Sequence, residues 1–317
     1  MNNVKELTIF LLKNHKTFIY NPNNYMLASA YTEVLINLWD ENSDKEYSPH
    51  EFKNTISKMN PLFAGINAND SKDLILFLLE TMHKELNPVK EEIPSNLPKN
   101  GQYNYDVVFK SYVEYFGNNY KSVISNLFYG MFDTMMQCAY CNKVSHNIQC
   151  YNILIFPLEE VRIFKKRNVN CVTIIECFEY YKKNEFLTGT NQIYCNLCNK
   201  LQNGYYSSQI LVSPNILVVN LNRGKGNIYD IKINFDEFLD IKQFVYYNQS
   251  PYYYELIGVV THLGESGMGG HFIAYCKSFT DCKWYKFNDA MVDLCSFAEV
   301  TQLGTPYILF YSKIDKY

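Results

Sequence analysis

A histidine and an asparagine near the end of the chain are spaced so that they could form part of a hydrolytic site. His271 follows Gly269 and Gly270 and begins an apolar, aromatic run with strand character. A strand after the histidine, a turn through residues 278–283 and a returning strand would form a hairpin that brings Asn288 beside His271. An oxygen of Asn288 could then accept a hydrogen bond from one imidazole nitrogen. This bond fixes the tautomer and leaves the other nitrogen free to take a proton.

The same residues also have a structural interpretation. Asp289 directly follows Asn288 and could orient His271 instead, or support the asparagine. A single His beside a Gly-rich loop is often structural, and an Asn-Asp pair often only makes a turn. The spacing alone therefore leaves both interpretations open.

Four cysteines form two matching Cys-x-x-Cys pairs, Cys138 with Cys141 and Cys195 with Cys198. Each pair can direct two thiolates at one point, and two pairs supply the tetrahedral sulfur ligands of zinc at about 2.3 Å. Because all four positions are Cys, we expect one closed, structural Zn2+ per chain. Unrelated buried cysteines and a redox dithiol are the alternatives, although neither pair opens a helix after a strand. His146 is interpreted as a surface residue.

The secondary structure that must position these residues is predicted to be helical in the first part of the chain and β-strand in the rest. Apolar residues at a spacing of three to four predict helices over residues 4–12, 26–39 and 71–86. Asn69, Asp70 and Ser71 are the predicted capping segment of the last helix, and Asp73 lies in its first turn. Short β-branched or aromatic runs after residue 138 predict strands, so the chain is expected to be α+β with an antiparallel sheet. These runs are CYNILIFPL, NVNCVTIIECF, ILVSPNILVVNL, YELIGVV, GHFIAYCK, KWYKFN and PYILFY.

Composition narrows the class of protein. The chain has 317 residues, enough for one large or two ordinary domains, and a formal net charge of -3. This charge argues against a nucleic-acid-binding protein, which normally has a basic surface. No secretory signal is visible and no apolar stretch approaches the length of a bilayer span, so no membrane association is expected. Ten cysteines then indicate a reducing compartment, the cytoplasm or the nucleus.

Four segments together resemble one protein family. Residues 253–292, closed by PYILFY, resemble the histidine box of the ubiquitin-specific proteases, papain-like cysteine proteases that remove ubiquitin from proteins. Residues 69–87 resemble the family's helix that normally reads Gln-x-Asp-x-x-Glu-Phe. Residues 127–141 resemble the entry to the zinc-bearing fingers, and residues 213–223 a strand that normally ends in Leu-x-Arg-Phe. The similarity covers nearly the whole chain.

The resemblance implies a fold and a division of the chain. The expected fold is an α+β papain-like core forming a single catalytic domain over residues 1–317. Within it, residues 1–130 would form a helical thumb and residues 131–212 the zinc-bearing fingers. Residues 213–317 would form a palm that carries the histidine box.

The resemblance also implies roles for the candidate residues. His271 would be the general base, Asn288 its orienting partner and Asp289 a second acidic neighbour. Asp70 and Asp73 would contact the C-terminal tail of ubiquitin, although Asp73 stands where a Glu is usual and its reach is shorter by a methylene.

A loop over residues 264–270 would line the channel for that tail. Gly269 and Gly270 suit a narrow slot, because glycine lets the backbone approach an extended Gly-Gly peptide closely.

The nucleophile of the family has no counterpart in this sequence. Its box resembles Gly-x-x-Asn-x-Gly-Asn-x-Cys-Tyr-Met-Asn, and no segment matches it or its oxyanion-hole Asn. The chain as given is therefore predicted to be inactive, because the thiolate forms the covalent bond. Either NPNNYM is a degenerate box with Asn24 in place of the Cys, or the nucleophile lies upstream of Met1. Spacing favours the second account, since VKELTIFLL is similar to the segment after the helix that carries the Cys.

The resemblance implies a cysteine deubiquitinase that hydrolyses the isopeptide bond at the C-terminus of ubiquitin. Its partners would be ubiquitin and ubiquitinated proteins, and we expect a monomer. The alternatives are a catalytically inactive ubiquitin-binding protein of the same fold and a zinc-ribbon interaction module. Retention of His271, Asn288 and Asp289 favours the enzyme.

Overall fold

The computed structural model describes residues 1–40, 46–65, 69–94, 105–166, 168–224, 229–247, 252–264, 269–302 and 304–314. Helices dominate the first 128 residues and strands dominate the rest, as the sequence predicts. The helices are α1 (Lys5–Tyr20), α2 (Met26–Leu38), α3 (His50–Met59), α4 (Ser71–Leu86), α5 (Tyr105–Asn119), α6 (Val123–Phe128), α7 (Leu158–Phe164), α8 (Ile174–Tyr181) and α9 (Phe297–Gln302).

The strands fall into one large sheet, one smaller sheet and two short pairs in the described part of the chain. They are β1 (Gly130–Cys138), β2 (Val144–Tyr151), β3 (Leu154–Pro157), β4 (Cys171–Thr173), β5 (Asn184–Leu187), β6 (Ile193–Cys195), β7 (Lys200–Gln202), β8 (Gly204–Val212), β9 (Ile216–Asn222), β10 (Lys232–Asn234), β11 (Phe238–Asp240), β12 (Tyr253–Leu263), β13 (His271–Lys277), β14 (Trp284–Asn288), β15 (Met291–Cys295) and β16 (Thr305–Ile314).

The helical part packs around its own apolar core. Apolar faces of α1, α2 and α4 bury residues such as Leu11, Leu35 and Leu79 completely, which is the stripe that the three-to-four spacing predicts. Helix α3 was not predicted, because only Ile56 of its ten residues is buried and the apolar pattern is correspondingly weak. None of the described helices is both long and apolar enough to cross a bilayer.

The large sheet separates the helical core from a second core. Its strands lie in the order β15-β14-β13-β12-β16-β9-β3, and β11 also pairs with β12. Neighbouring strands are antiparallel except β3 and β9, which run parallel. One face contacts the helical core through Ile308 and Phe310, while Phe156 and Phe178 belong to the core on the other face. The observed architecture is therefore the predicted α+β class.

One predicted strand is partly wrong. Within NVNCVTIIECF only Cys171–Thr173 is a strand, and α8 begins at the next residue. Thr173 Oγ1 accepts a hydrogen bond from the Glu176 N–H (3.2 Å), and Glu176 Oε2 accepts one from the Thr173 N–H (2.8 Å). This reciprocal cap starts the helix despite the β-branched residues, and its Thr-x-x-Glu signature was readable in the sequence.

The smaller sheet, in the order β2-β1-β8-β5, carries the first cysteine pair at the end of β1. Residues 154–181 lie between its strands in sequence, but they contribute to the core of the large sheet. The division into thumb, fingers and palm stays a prediction.

The interpretation of His146 as a surface residue is wrong. Its Nδ1 lies 2.8 Å from Oδ2 of Asp133, whose side chain is fully buried in the smaller sheet. The ring of Tyr105, at the start of α5, packs 4.6 Å from the imidazole. Because β1 and β2 pair antiparallel, assigning both strands from the sequence would have placed the two residues near each other. It would not have shown which face of the sheet they share.

Loss of His146 is expected to destabilise the protein. His146→Ala would leave the Asp133 carboxylate buried without its partner and lower the free energy of unfolding by about 3 kcal/mol. Asp133→Leu combined with His146→Ala should regain most of this loss, because no charge then remains buried. Urea unfolding measures both, with the exposed His50→Ala as control. Equal stability of His146→Ala and His50→Ala would contradict the assignment.

Candidate active site

The candidate catalytic residues meet at one end of the β13–β14 hairpin. Lys277 pairs with Trp284 next to the turn, and Ala274 pairs with Phe287 further along. Continued by one residue, this register sets Asn288 opposite Ile273 and diagonal to His271 on the same face, and His271 Nε2 lies 2.7 Å from Asn288 Oδ1. Asp289 follows in the left-handed region at φ 51°, which Asp tolerates better than most residues. The structure thus brings together the His and Asn that the sequence placed on one hairpin.

The geometry determines which imidazole nitrogen is available as a base. Because Asn288 Oδ1 can only accept, His271 Nε2 carries the hydrogen and Nδ1 has the free lone pair. The side chain of His271 is 44% exposed, so Nδ1 can be reached from outside. Asp289 Oδ2 lies 3.7 Å from Nε2 and its side chain is 82% exposed. Asn288 is therefore the direct partner of the imidazole and Asp289 a more distant neighbour.

Charged groups hold the turn end of the same hairpin. Lys277 Nζ donates to Glu237 Oε1 (2.8 Å) and to Glu255 Oε1 (2.6 Å), and Trp284 Nε1 donates to Glu237 Oε1 (3.4 Å). These half-buried partners lie on neighbouring elements, so they fix both hairpin strands against the sheet. Ring stacking of Trp39 on Phe279, at 4.8 Å, joins the turn to the helical part.

Glycines form a narrow neck just before His271. A Cβ atom built at Gly264 would lie 2.5 Å from the Gly269 carbonyl oxygen, and one at Gly270 would lie 2.5 Å from Cε1 of His262. Gly264 and Gly270 are therefore required by close approach, whereas a Cβ at Gly269 would meet nothing within 4 Å. Residues 265–268 of the predicted channel loop lie outside the described residues.

His262 is a buried residue that the sequence analysis did not single out. It lies at the end of β12 under the glycine neck, and its ring packs between Tyr229 (5.5 Å) and Phe272 (4.9 Å). Burial lowers the pKa of His262, so the ring is neutral at physiological pH. The signal for it was weak, since a single His two residues before Gly264 has no spacing that indicates chemistry.

The two candidate tail-binding aspartates have different surroundings. Asp70 caps α4, its Oδ1 accepting from the Lys72 N–H at 2.8 Å. Its Oδ2 accepts from the Tyr307 hydroxyl of β16 at 2.6 Å, which ties the helix to the large sheet. Asp73 lies one turn further on and pairs with Lys72 Nζ at 3.2 Å. The structure thus brings Asp70 to the sheet that carries His271, while Asp73 stays on the helix surface.

None of the three cysteines that follow His271 in the sequence is placed as its nucleophile. Cys276 is on the same strand, five residues further along and therefore about 17 Å from His271. Because the spacing is odd, its side chain points to the other face of the sheet. Cys282 lies exposed in the hairpin turn, and Cys295 pairs with Trp284 at the far end of β14. Asn24, the candidate remnant of a cysteine box, is exposed in the turn between α1 and α2.

The four predicted cysteine ligands converge on one point. The Sγ atoms of Cys138 and Cys198 are 4.0 Å apart, and those of Cys141 and Cys195 are 3.5 Å apart. All four sulfur atoms lie within 4.8 Å of one another. A tetrahedron with metal–sulfur bonds of about 2.3 Å requires sulfur separations of about 3.8 Å. The cluster therefore has nearly the dimensions of a four-thiolate site.

Each cysteine pair forms the same local turn. Asn142 and Asn199 follow the second Cys of each pair in the left-handed region, at φ 57° and 52°. The Cys198 N–H points at Cys195 Sγ (3.5 Å) and lowers the pKa of Cys195, whereas burial raises the pKa of Cys198. An N–H group aimed at sulfur stabilises the thiolate form that a metal ion needs.

Comparisons with known proteins identify similar chains. A family model described as ubiquitin carboxyl-terminal hydrolase matches residues 1–311. The chain is 28% identical to ubiquitin carboxyl-terminal hydrolase 2 of Homo sapiens over 325 residues, covering 98% of this chain and 52% of that protein. For the protein of the same name from Gallus gallus the identity is 28% over 291 residues, covering 90% and 79%. The chain thus spans about half the length of the human relative.

A solved structure is similar in fold. A chain in the structure of the yeast SAGA DUBm with an Sgf73 mutant superposes with a TM-score of 0.67 and 21% identity. The match covers 95% of this chain and 62% of that chain. It confirms the predicted fold class.

Proposed function

We propose that this chain, which belongs to the ubiquitin carboxyl-terminal hydrolase family, is the catalytic domain of a ubiquitin-specific cysteine protease. Its similarity to ubiquitin carboxyl-terminal hydrolases over nearly its whole length supports a deubiquitinase. Within this chain, the contact between His271 and Asn288 at 2.7 Å is the observation that most directly supports the proposal. The contact lies directly after the glycine neck of Gly264 and Gly270.

In the proposed reaction His271 acts first as base and then as acid. Its Nδ1 takes the proton from the cysteine thiol, and the thiolate attacks the carbonyl carbon of the terminal glycine of ubiquitin. The substrate lysine amine leaves with the proton from His271, and a thioester remains. Water then attacks the thioester carbon as it gives a proton to His271, and the C–S bond breaks. The leaving thiolate takes this proton back, and ubiquitin is released with a free C-terminal carboxyl group. Asn288 holds the imidazole in the tautomer that both steps need.

The tail of ubiquitin is proposed to enter between the helical part and the large sheet. Gly269 and Gly270 would let its backbone pass close to the sheet, and Asp70 would accept hydrogen bonds from it. Asp73, held by Lys72 on the helix surface, would contact the tail further from the scissile bond.

The nucleophile is proposed to come from a segment upstream of Met1. An apolar face of the large sheet supports this. Its cross-strand rows run from Ile308 and Phe310, which the helices cover, to β14 and β15. There Phe287, Val292 and Leu294 are 36%, 54% and 63% exposed. A segment that covered this face would pack against the β13–β14 hairpin that carries His271 and Asn288.

The cysteine cluster is proposed to hold one structural zinc ion. Cys138, Cys141, Cys195 and Cys198 would all be ligands, so no position stays open for water or substrate. Zinc would join the end of β1 to the β6–β7 pair, which has only a small apolar core of its own. A monomeric state and a location in the cytoplasm or nucleus stay predictions from the sequence.

Zinc content tests the cluster. We expect one zinc per chain in protein purified without added metal, measured by plasma mass spectrometry. Cys138→Ser or Cys195→Ser should lose the metal, because three thiolates bind it far more weakly than four. Cys282→Ser is the matched control and should retain it, since Cys282 lies exposed in the hairpin turn. Zinc-free wild-type protein would refute the site.

Substitution of the base tests the proposed reaction. In the native protein that contains this chain, His271→Ala should lower kcat for cleavage of a fluorogenic ubiquitin conjugate by at least about a hundredfold, because the thiol loses its general base. Ubiquitin affinity should stay unchanged, since the imidazole contacts the reacting atoms only.

Two neighbouring variants separate the roles on the hairpin. Asn288→Ala should cause an intermediate loss of kcat, because the imidazole loses its orienting bond. Asp289→Asn should change little, since its carboxylate is exposed and 3.7 Å from the ring. Undiminished turnover in His271→Ala would contradict the assignment of His271 as the general base.

A further inference from the structure

Tyr307 makes a contact that joins the two sides of the proposed tail channel. Its hydroxyl donates to Asp70 Oδ2 at 2.6 Å, across 237 residues of sequence. The other oxygen of the same carboxylate accepts from the Lys72 N–H at 2.8 Å. Two bonds, one from the helix and one from the sheet, therefore fix both the position and the rotation of the Asp70 carboxylate.

The surroundings of Tyr307 keep it a donor. The residue is half-buried, and burial together with the Asp70 carboxylate raises the pKa of its phenol. The hydroxyl thus stays protonated over the physiological range. The backbone of Tyr307 is held in turn by the side-chain amide of Asn220, which donates to its carbonyl oxygen at 3.3 Å.

The ring of Tyr307 faces the strand that starts with His271. Its centroid lies 5.5 Å from that of Phe272, the residue after His271. Phe272 in turn packs on His262 at 4.9 Å, under the glycine neck. One tyrosine therefore contacts both the helix-cap carboxylate and the aromatic cluster beneath the candidate catalytic residues.

We propose that Tyr307 is a positioning residue for the modifier's C-terminal tail, acting through Asp70. It holds the carboxylate towards the channel and sets the distance between α4 and the start of β13. The inference rests on the proposed function, because it assumes that the tail lies along Asp70. Without the hydroxyl, Asp70 keeps only its cap bond and its carboxylate can rotate away from the channel.

Tyr307→Phe tests the inference, because it removes the hydroxyl and keeps the ring. We expect the native protein that contains this chain to bind ubiquitin about tenfold more weakly after the change, from the loss of a charge-assisted hydrogen bond. Binding of ubiquitin that lacks its C-terminal tail, weaker in the parent chain, should not change. Isothermal titration of both probes measures this difference, which a merely structural role would not produce.

Two further variants show whether the effect passes through Asp70. In an Asp70→Ala background, Tyr307→Phe should have no further effect on ubiquitin affinity. Tyr311→Phe is the matched control on the same strand, because its buried hydroxyl donates to the Asp236 carbonyl at 3.0 Å, away from the channel. It should lower thermal stability but leave tail-dependent binding unchanged.

The outcomes separate this inference from the proposed function. Tail-dependent binding that is equal in the parent chain and Tyr307→Phe would overturn the role of Tyr307 alone. Equal weakening for both ubiquitin probes would also overturn it, because the hydroxyl would then serve only the fold. No binding of intact ubiquitin by the parent chain would instead count against the proposed function.

Discussion

The antiparallel register of β13 and β14 is the constraint on which the candidate site depends. A slip of one residue would turn every side chain of one strand to the opposite face and separate Asn288 from His271. Fully buried Tyr275 and nearly buried Trp284 oppose such a slip, because either would have to leave the core. The pairing of Lys277 with Glu237 and Glu255 adds a polar constraint at the turn end. The precision of one hydrogen bond thus comes from packing along the whole hairpin.

The helical part completes the site from the other side of the sheet. Besides the apolar contacts at Ile308 and Phe310, it is joined to the large sheet and the hairpin turn by the stack of Trp39 on Phe279 and the bond from Tyr307 to Asp70. Both contacts join residues distant in sequence, so each depends on correct packing of the helices on the sheet. A channel formed in this way can be narrow and still have walls from two independent cores. This arrangement is compatible with the proposed entry of an extended tail.

The parts of the site that sequence could predict are those with local spacing. The hairpin, the two Cys-x-x-Cys turns and the cap at Asp70 each lie within a short segment. The roles of Tyr307 and His262 could not be read in the same way, because their partners lie on other elements and neither has a motif. Asp133 was not singled out, because its partner His146 lies on the neighbouring strand. Predictions failed where tertiary contacts decide the outcome.

Covalent labelling tests the central claim most directly. The native protein in a lysate would be treated with ubiquitin that carries a thiol-reactive group at its C-terminus, and the adduct's mass read by blotting. We predict an adduct larger than ubiquitin plus 37.2 kDa, formed on a cysteine upstream of Met1 and abolished by prior alkylation. An adduct of exactly that sum would place the nucleophile among the ten cysteines of this chain. No adduct, with ubiquitin still captured without a covalent bond, would contradict the proposed enzyme and leave a binding protein of the same fold.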